Sequence, residues 1–343
     1  MSNAKWFERS GRYPEIVLSS KALITRNIKG YNFPGRMSIA DKEEVKEKVS
    51  NALKDRELTM WEMDKISGPL KRELIDGQII SHKSYAGNMD GQAILTNKDM
   101  SVSVMVNHND HIKIRVQASG FTDEAYRKCE DIACSLEKGL DIAFSSKYGF
   151  LTSTTSDTGM GLRLLYTVAI PGIVRTQEGL EFLKNKVAQY GWKMYPFVET
   201  DEDTQCDVYI IANNLSMGVD EKTVLDSGRK VIEDVITIEK ACRETLLKNN
   251  AFILENSFYR SYGILYYSKA MTPPEALDLI EWIRLYHGYE NTEEVKIDWD
   301  QINNITSCML WQLVPLMEVQ NLRMEPQAVA ARIAQILRDN REV

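Results

Sequence analysis

A chain of 343 residues, 43% hydrophobic and 27% charged, has the make-up of a soluble globular protein with a large core and room for more than one domain. Its net charge of -7 leaves no electrostatic footprint for nucleic acid or an anionic membrane, and no apolar run approaches the roughly 20 residues needed to span a bilayer. The five cysteines are scattered, with Cys129 and Cys134 inside a helical pattern, and only four histidines are present; no metal site can be argued, and reduced thiols in a cytoplasmic protein are the expectation.

Residues 15–20 form a short apolar strand candidate, followed by a basic, irregular piece over 21–37 punctuated by Gly30, Pro34 and Gly35. Ser38 starts a helix: Ser38 and Asp41 are spaced as in a capping box, and Val45, Val49 and Leu53 follow at helical spacing. Residues 87–91 read as a turn, and residues 93–95 and 102–106 as a hairpin around Asn97, Lys98 and Asp99. Thr122 opens a long helix with Ala125, Cys129, Ile132, Ala133, Leu136 and Leu140 on one face. A Thr-, Ser- and Gly-rich stretch over 149–165 runs into an apolar strand, 162–170, closed by Pro171. A helix over 177–190, a strand over 206–212, a turn over 213–218 and an amphipathic helix over 220–248 follow. From about Phe252 no strand pattern remains; helices are expected from Pro273, over 299–319 and over 325–338.

Residues 104–116 stand out. An apolar run leads into four polar side chains at 107–110, after which Ile112, Ile114 and Val116 alternate with Lys113 and Arg115, the mark of a half-buried strand. Two readings are open: a hairpin loop, since Asn and Asp favour turns, or a polar site built on a rigid element.

The order of several blocks carries a resemblance. Residues 16–27 (IVLSSKALITRN), 33–38 (FPGRMS), 106–114 (VNHNDHIKI), 149–153 (GFLTS), 159–163 (GMGLR), 259–265 (YRSYGIL) and 283–289 (IRLYHGY) come in sequence. Over about residues 6 to 338 the chain resembles the bacterial protein-arginine kinases of the ATP:guanidino phosphotransferase (phosphagen kinase) family. The resemblance implies an α+β fold, an antiparallel β-sheet flanked by helices over residues 12–248, plus a helical C-terminal domain over 249–343.

Several family motif positions are altered. Ser-Ser-Arg-x-Arg falls on Ser19, Ser20, Lys21, Ala22 and Leu23, and Asn-Glu-Glu-Asp-His-Ile-Arg on Asn107, His108, Asn109, Asp110, His111, Ile112 and Lys113. The family's Arg-Gly-x-x-Gly-Glu maps onto residues 195–200, so Tyr195 and Thr200 stand for its arginine and glutamate, and a family histidine falls on Gln78. By resemblance, Ser20, Lys21, Leu23, Gln78, Lys113, Arg163 and Tyr195 are the nucleotide-binding positions, with only Arg163 intact among the arginines. His108, Asn109 and Asp110 occupy the catalytic acidic motif. The phosphoarginine-gripping motif near the C-terminus falls on residues 327–332, where Gln327, Ala328 and Ala331 supply no charge.

Phosphoryl transfer is mostly positioning and charge stabilisation, and arginine forks neutralise phosphates in a way lysine does not reproduce. The acceptor guanidinium is protonated at neutral pH, so attack needs a carboxylate to hold it and take its proton. With the acids replaced, the expectation is a pseudokinase acting as regulatory or scaffold partner, with weak or absent binding of Mg-ATP. The alternatives are an active kinase with an altered site, using Lys21, Lys113, Arg163, Asp110, Asp157 and Glu199, or a nucleotide- or phosphate-binding sensor. The partners implied by the resemblance are an active paralogue, a zinc-binding adaptor or a Clp-type protease system; a homodimer is compatible with it.

Overall fold

The computed structural model describes residues 6–80, 89–198, 207–214, 216–289, 292, 295–313 and 324–338. Its strands are β1 (Val17–Arg26), β2 (Thr59–Glu62), β3 (Ala93–Thr96), β4 (Val102–Val106), β5 (Ile112–Ser119), a small hairpin of β6 (Phe144–Ser145) and β7 (Gly149–Phe150), then β8 (Leu162–Ala169), β9 (Trp192–Pro196) and β10 (Val208–Asn213). Its helices are α1 (Ile39–Ala52), α2 (Gly68–Asp76), α3 (Glu124–Gly139), α4 (Pro171–Val174), α5 (Gly179–Gln189), α6 (Glu221–Tyr267), α7 (Pro273–Tyr286), α8 (Trp299–Leu313) and α9 (Pro326–Arg338). Eight strands make one sheet in the order β2-β3-β4-β5-β1-β8-β10-β9, every neighbouring pair antiparallel.

Because successive strand residues point to opposite faces, the sheet has two sides of different character. One side presents Ala22 and Ile24 of β1, Ile112, Ile114 and Val116 of β5, and Leu162, Leu164 and Tyr166 of β8 to α1, α3 and the first half of α6. Helix α3 buries Ala125, Cys129, Ile132, Ala133 and Leu136 there, the face its spacing predicts. Ile132 and Leu136 each contribute about 1.5–3 kcal/mol of burial. On the other side, Ile94 and Met105 join Trp6, Phe7, Leu74, Ile75, Ile79 and Ile80 in an apolar patch at one end. Leu18, Ala169 and Val208 join α7, α8, α9 and the second half of α6 at the other end. Between the two patches lies a polar strip of Lys21, Thr25, Lys113, Arg115, Gln117 and Arg163.

The expected helix at Ser38 is present, with Ser38 and Asp41 in a reciprocal capping box. The expected hairpin over 93–106 is present as β3 and β4. Two local readings change. The stretch expected to be irregular from Lys21 continues as strand to Arg26, because Ala22 and Ile24 alternate into the core. The helix expected to stop at 248 runs on to Tyr267. It departs from helical geometry at Asn250 (φ -140°, ψ 27°) and resumes because Leu254, Phe258 and Leu265 recur at helical spacing into the second core. Strands β2 and β9 and helix α2 have no counterpart in the sequence reading.

Where the sheet meets the C-terminal helices, a buried ionic network joins them. Glu239 is fully buried and accepts from Gly172 N (2.9 Å), Ile173 N (2.8 Å) and Arg243 Nε (2.6 Å). Arg243 also donates to the carbonyls of Arg284 and Glu15. Arg284 donates to Asn303, Thr306 and the carbonyl of Pro14, with its Nε 3.3 Å from Glu281. Arg175 pairs with Asp207. Among the described residues, no helix is long and apolar enough to cross a membrane.

Candidate functional site

The polar strip is set by strand register. β1 pairs with β5 so that Lys21 faces Gln117, Leu23 faces Arg115 and Thr25 faces Lys113. On the other side of β1, Leu23 faces Arg163 of β8. Leu23 therefore sits between two arginines, on Arg115 and Arg163 strands, and Arg115 and Lys113 share a face by the period-two alternation visible in the sequence. The loop Asn107 to His111 closes the β4–β5 hairpin: Asn107 takes φ 58° and its N–H donates to His111 O. The hairpin reading of that stretch holds, and its tip carries His108, on which the charges of Lys113 and Arg115 act.

Among the described residues the strip is short of acids. Arg163 Nε donates to Asp157 Oδ1 at 2.8 Å, and Lys113 Nζ lies 3.9 Å from Asp157 Oδ2. Lys21 donates to the side-chain oxygen of Gln78, a neutral partner, and its ammonium lies 5.6 Å from the Trp6 ring centre. Arg115 Nη1 donates to the carbonyls of Gln78 (2.6 Å) and Ile79 (3.0 Å), again neutral. Gln117 Nε2 and Trp6 Nε1 both donate to Gly77 O. Residues 77–79 are therefore laid along the strip with their carbonyl oxygens against its donors, and Gln78 adopts φ 62° to do so.

Burial without matched carboxylates disfavours the charged forms. It lowers Lys21 to about 7, with the Arg115 charge adding to the effect. It lowers Arg115 to about 10. Lys113 is lowered too, first by burial, with Asp157 opposing and Arg115 and Arg163 reinforcing. Burial, Lys113 and Arg115 push His108 below its ordinary value. These mutual influences place Lys21, His108, Lys113, Arg115 and Arg163 in one electrostatic neighbourhood.

The remaining motif positions have other partners. Asp110 is buried and accepts three hydrogen bonds: Oδ1 from Asn27 Nδ2 and Ser153 N, both at 2.7 Å, and Oδ2 from Ser153 Oγ at 2.8 Å. It ties the hairpin tip to β1 and to the 151–158 loop. Asn109 is exposed. His111 is a packed histidine: Nδ1 accepts from Ile28 N, so Nε2 carries the proton toward Asn32 O. Ser20 lies on the opposite face from Lys21, donating to Gly120 O and accepting from Thr122 N. Tyr195 stands on edge strand β9, 39% exposed; burial raises its hydroxyl, with the charge of Arg163 opposing. The positions expected for Glu199 and Thr200 lie outside the described residues. The loop glycines are demanded by geometry: a Cβ on Gly159 (φ 117°) would stand 2.2 Å from Ser216 O. Among the described residues, no three His, Cys, Asp or Glu side chains come together as metal ligands. Counting motif positions alone passes over Arg115, although its alternation with Lys113 signals the shared face.

Comparison with known proteins adds the following. The profile of the ATP:guanido phosphotransferase C-terminal catalytic domain matches residues 41–242. A protein-arginine kinase of Brevibacillus brevis is 31% identical, over 82% of this chain and 80% of its own length. One of Clostridium acetobutylicum is 27% identical over 98% of both chains. Among solved structures, the substrate-free duplicated taurocyamine kinase of Schistosoma mansoni aligns with a TM-score of 0.59 at 19% identity, over 70% of this chain and 36% of that one. Lombricine kinase aligns with a TM-score of 0.55 at 19% identity, over 70% and 71%. These two structures share the fold.

Proposed function

We propose, for a chain that belongs to the ATP:guanido phosphotransferase family, that it works by binding and not by phosphoryl transfer: a pseudokinase serving as regulatory or scaffold partner. The observation that carries this is the acidic motif. His108 and Asn109 bear no negative charge, and the carboxylate of Asp110 is closed by three hydrogen bonds to Asn27 and Ser153. A protonated guanidinium placed beside His108 shares its surroundings with the cations Lys113 and Arg115. His108, held below its ordinary value by burial and by Lys113 and Arg115, is an uncharged base at neutral pH and supplies no anion to orient the acceptor. Losing one transition-state contact of this kind costs about 10² to 10³ in rate, and groups that act as a unit fail together.

The relatives are named as protein-arginine kinases, so the test is transfer itself. Labelled γ-phosphate from ATP, offered with an arginine-rich protein, should give no phosphoarginine above background. Robust transfer overturns the reading in favour of an active kinase with an altered site. A repair variant sharpens it: Lys21→Arg, Leu23→Arg, His108→Glu, Asn109→Glu and Lys113→Arg together. Because Arg115 faces position 23 across the β1–β5 ladder, Leu23→Arg sets like charges opposite each other, so the repair also needs Arg115→Leu. The partners on this reading are those the resemblance implies: an active paralogue, a zinc-binding adaptor or a Clp-type protease system, in the cytoplasm. A second reading, a phosphate-binding sensor, is favoured by one observation, the surplus of cations over acids on the strip.

A further inference from the structure

We propose that the solvent face of the second half of α6 is a docking surface for an amphipathic helix of another protein, one whose apolar stripe carries a single carboxylate to meet Arg260. The inference goes beyond the reading above. It concerns a different element of the chain, and it holds or fails whether or not phosphate is transferred.

The second half of α6 is apolar on two sides. Leu254, Phe258, Ser261 and Leu265 recur at helical spacing and are buried toward the second core. At about 100° of turn per residue, Phe252, Ile253, Ile264 and Tyr267 fall on the other side, around Arg260. Their exposures are 79%, 58%, 39% and 75%. A surface helix ordinarily turns polar side chains to water, and an apolar stripe on its outer face marks a contact surface. From Phe252 to Tyr267 the stripe runs about 22 Å along the axis. Its C-terminal part holds a shallow groove of about 550 Å³, lined by Tyr259, Arg260, Gly263, Ile264, Tyr267 and Ser268. Gly263 is part of that lining, and a Cβ there would meet nothing within 4 Å. Glycine inside a helix costs about 1 kcal/mol relative to alanine, and no packing within the chain requires it here. A bare backbone beside tyrosines does suit close approach from outside.

Charge and shape select the occupant. Over residues 252–267 the charged side chains are Glu255 and Arg260. Glu255 lies about 140° around the helix from Arg260 and is half-buried, so the exposed stripe offers a cation and no acid. A second copy of this chain seated on the stripe brings another Arg260 and no counter-ion, and burying guanidinium groups unpaired is unfavourable. A partner with one Asp or Glu set in an apolar stripe supplies the missing charge. Helical geometry is unbroken after Asn250, so the backbone donors and acceptors are used within the helix and offer no edge for an added strand. Ridges of a second helix fit such a surface, with the close approach at Gly263.

The test uses the full chain and two synthetic helical peptides of ~20 residues. Both carry the same stripe of leucine and alanine, with either glutamate or lysine at its centre. Binding is read by fluorescence anisotropy of the labelled peptide. The glutamate peptide should bind with a dissociation constant of about 100 μM or tighter, and the lysine peptide about tenfold more weakly. Arg260→Gln should abolish that preference and Arg260→Glu should invert it, which adhesion to any apolar surface would not do. Gly263→Met, which fills the groove, should weaken both peptides by about tenfold. A melting curve accompanies each variant; if Gly263→Met fails to fold, Tyr267→Ser, at an exposed position, replaces it. Sedimentation over a range of concentrations covers the second copy: a dimer that dissociates with Tyr267→Ser assigns the face to self-association and overturns the proposal. It is overturned as well if neither peptide binds more tightly than about 1 mM, or if the Arg260 variants leave the preference unchanged. Phosphate transfer by the unmodified chain would sink the pseudokinase reading and leave this face standing. Failure of both peptides would do the opposite.

Discussion

Two clusters of charge in this molecule are built from similar residues and arranged differently. At the junction of sheet and helices, Arg175, Arg243 and Arg284 meet Asp207, Glu239 and Glu281, three cations against three acids, and most donors end on an oxygen of the protein. On the polar strip, among the described residues, Lys113 and Arg163 meet one shared acid, Asp157, and Lys21 and Arg115 donate to neutral carbonyl oxygens. The difference separates two uses of buried charge. A balanced, hydrogen-bonded network locks elements together, and its parts cannot be removed singly. An unbalanced one holds a potential that a ligand of the opposite sign would relieve.

The largest expected effect tests the balanced side. Arg284→Met leaves Glu281 without its cation and strips partners from Asn303, Thr306 and the carbonyl of Pro14. Breaking one member of such a buried set costs about 3–5 kcal/mol, read by urea or thermal unfolding. A loss below about 1 kcal/mol would mean that the junction is not the lock described here.

The next effect belongs to the strip. Burial holds Lys21 near 7 in the folded chain, below its ordinary 10.5. Between those values the unfolded chain binds more protons, so this group's contribution to stability rises with pH from about 7 toward 10. Lys21→Met should flatten that rise in an anion-free buffer and stabilise the protein at the acid end of the window. Equal pH slopes for the two proteins would show Lys21 to be well solvated.

A smaller effect of opposite sign comes from the junction. Burial raises Glu281 to about 7, against the attraction of Arg284, and among the described residues no hydrogen bond reaches either of its carboxyl oxygens. Here the folded state binds more protons between about 4.5 and 7, so the stability contributed by Glu281 is present below 4.5 and is lost as pH rises through 7. Glu281→Gln should remove that fall and leave unfolding less sensitive to pH from 5 to 8. The smallest effect is Asp157→Asn, which deletes the strip's one shared acid. It should tighten phosphate binding severalfold and lower the melting temperature modestly, since Asp157 is buried and accepts from Arg163 and Thr154.

Much of the fold was legible in the chain. Alternation at Ile112, Ile114 and Val116 gave the strand, the Ser38 and Asp41 pair gave a helix start, and the ordered blocks gave the family. The unread parts depended on partners distant in sequence. Asp110 is closed by Asn27 and Ser153, 83 and 43 positions away, and no local pattern announces either. Arg115 was visible beside Lys113, but its place opposite Leu23 depends on a register between strands more than 80 residues apart. The run of α6 past residue 248 was hidden by Asn249 and Asn250, residues that favour helix ends. A second core below it, holding Leu254, Phe258 and Leu265, prevailed over that preference.

The sheet also has two ends, and they bear on how the chain behaves when crowded. A bare edge strand is a template for another molecule's backbone. Here one edge is β2, only four residues long and closed by Glu62. The other is β9, where Lys193 is exposed and Pro196 has no N–H to offer. Neither supports a long ladder with a neighbour, so edge-to-edge pairing between copies has few backbone hydrogen bonds to gain.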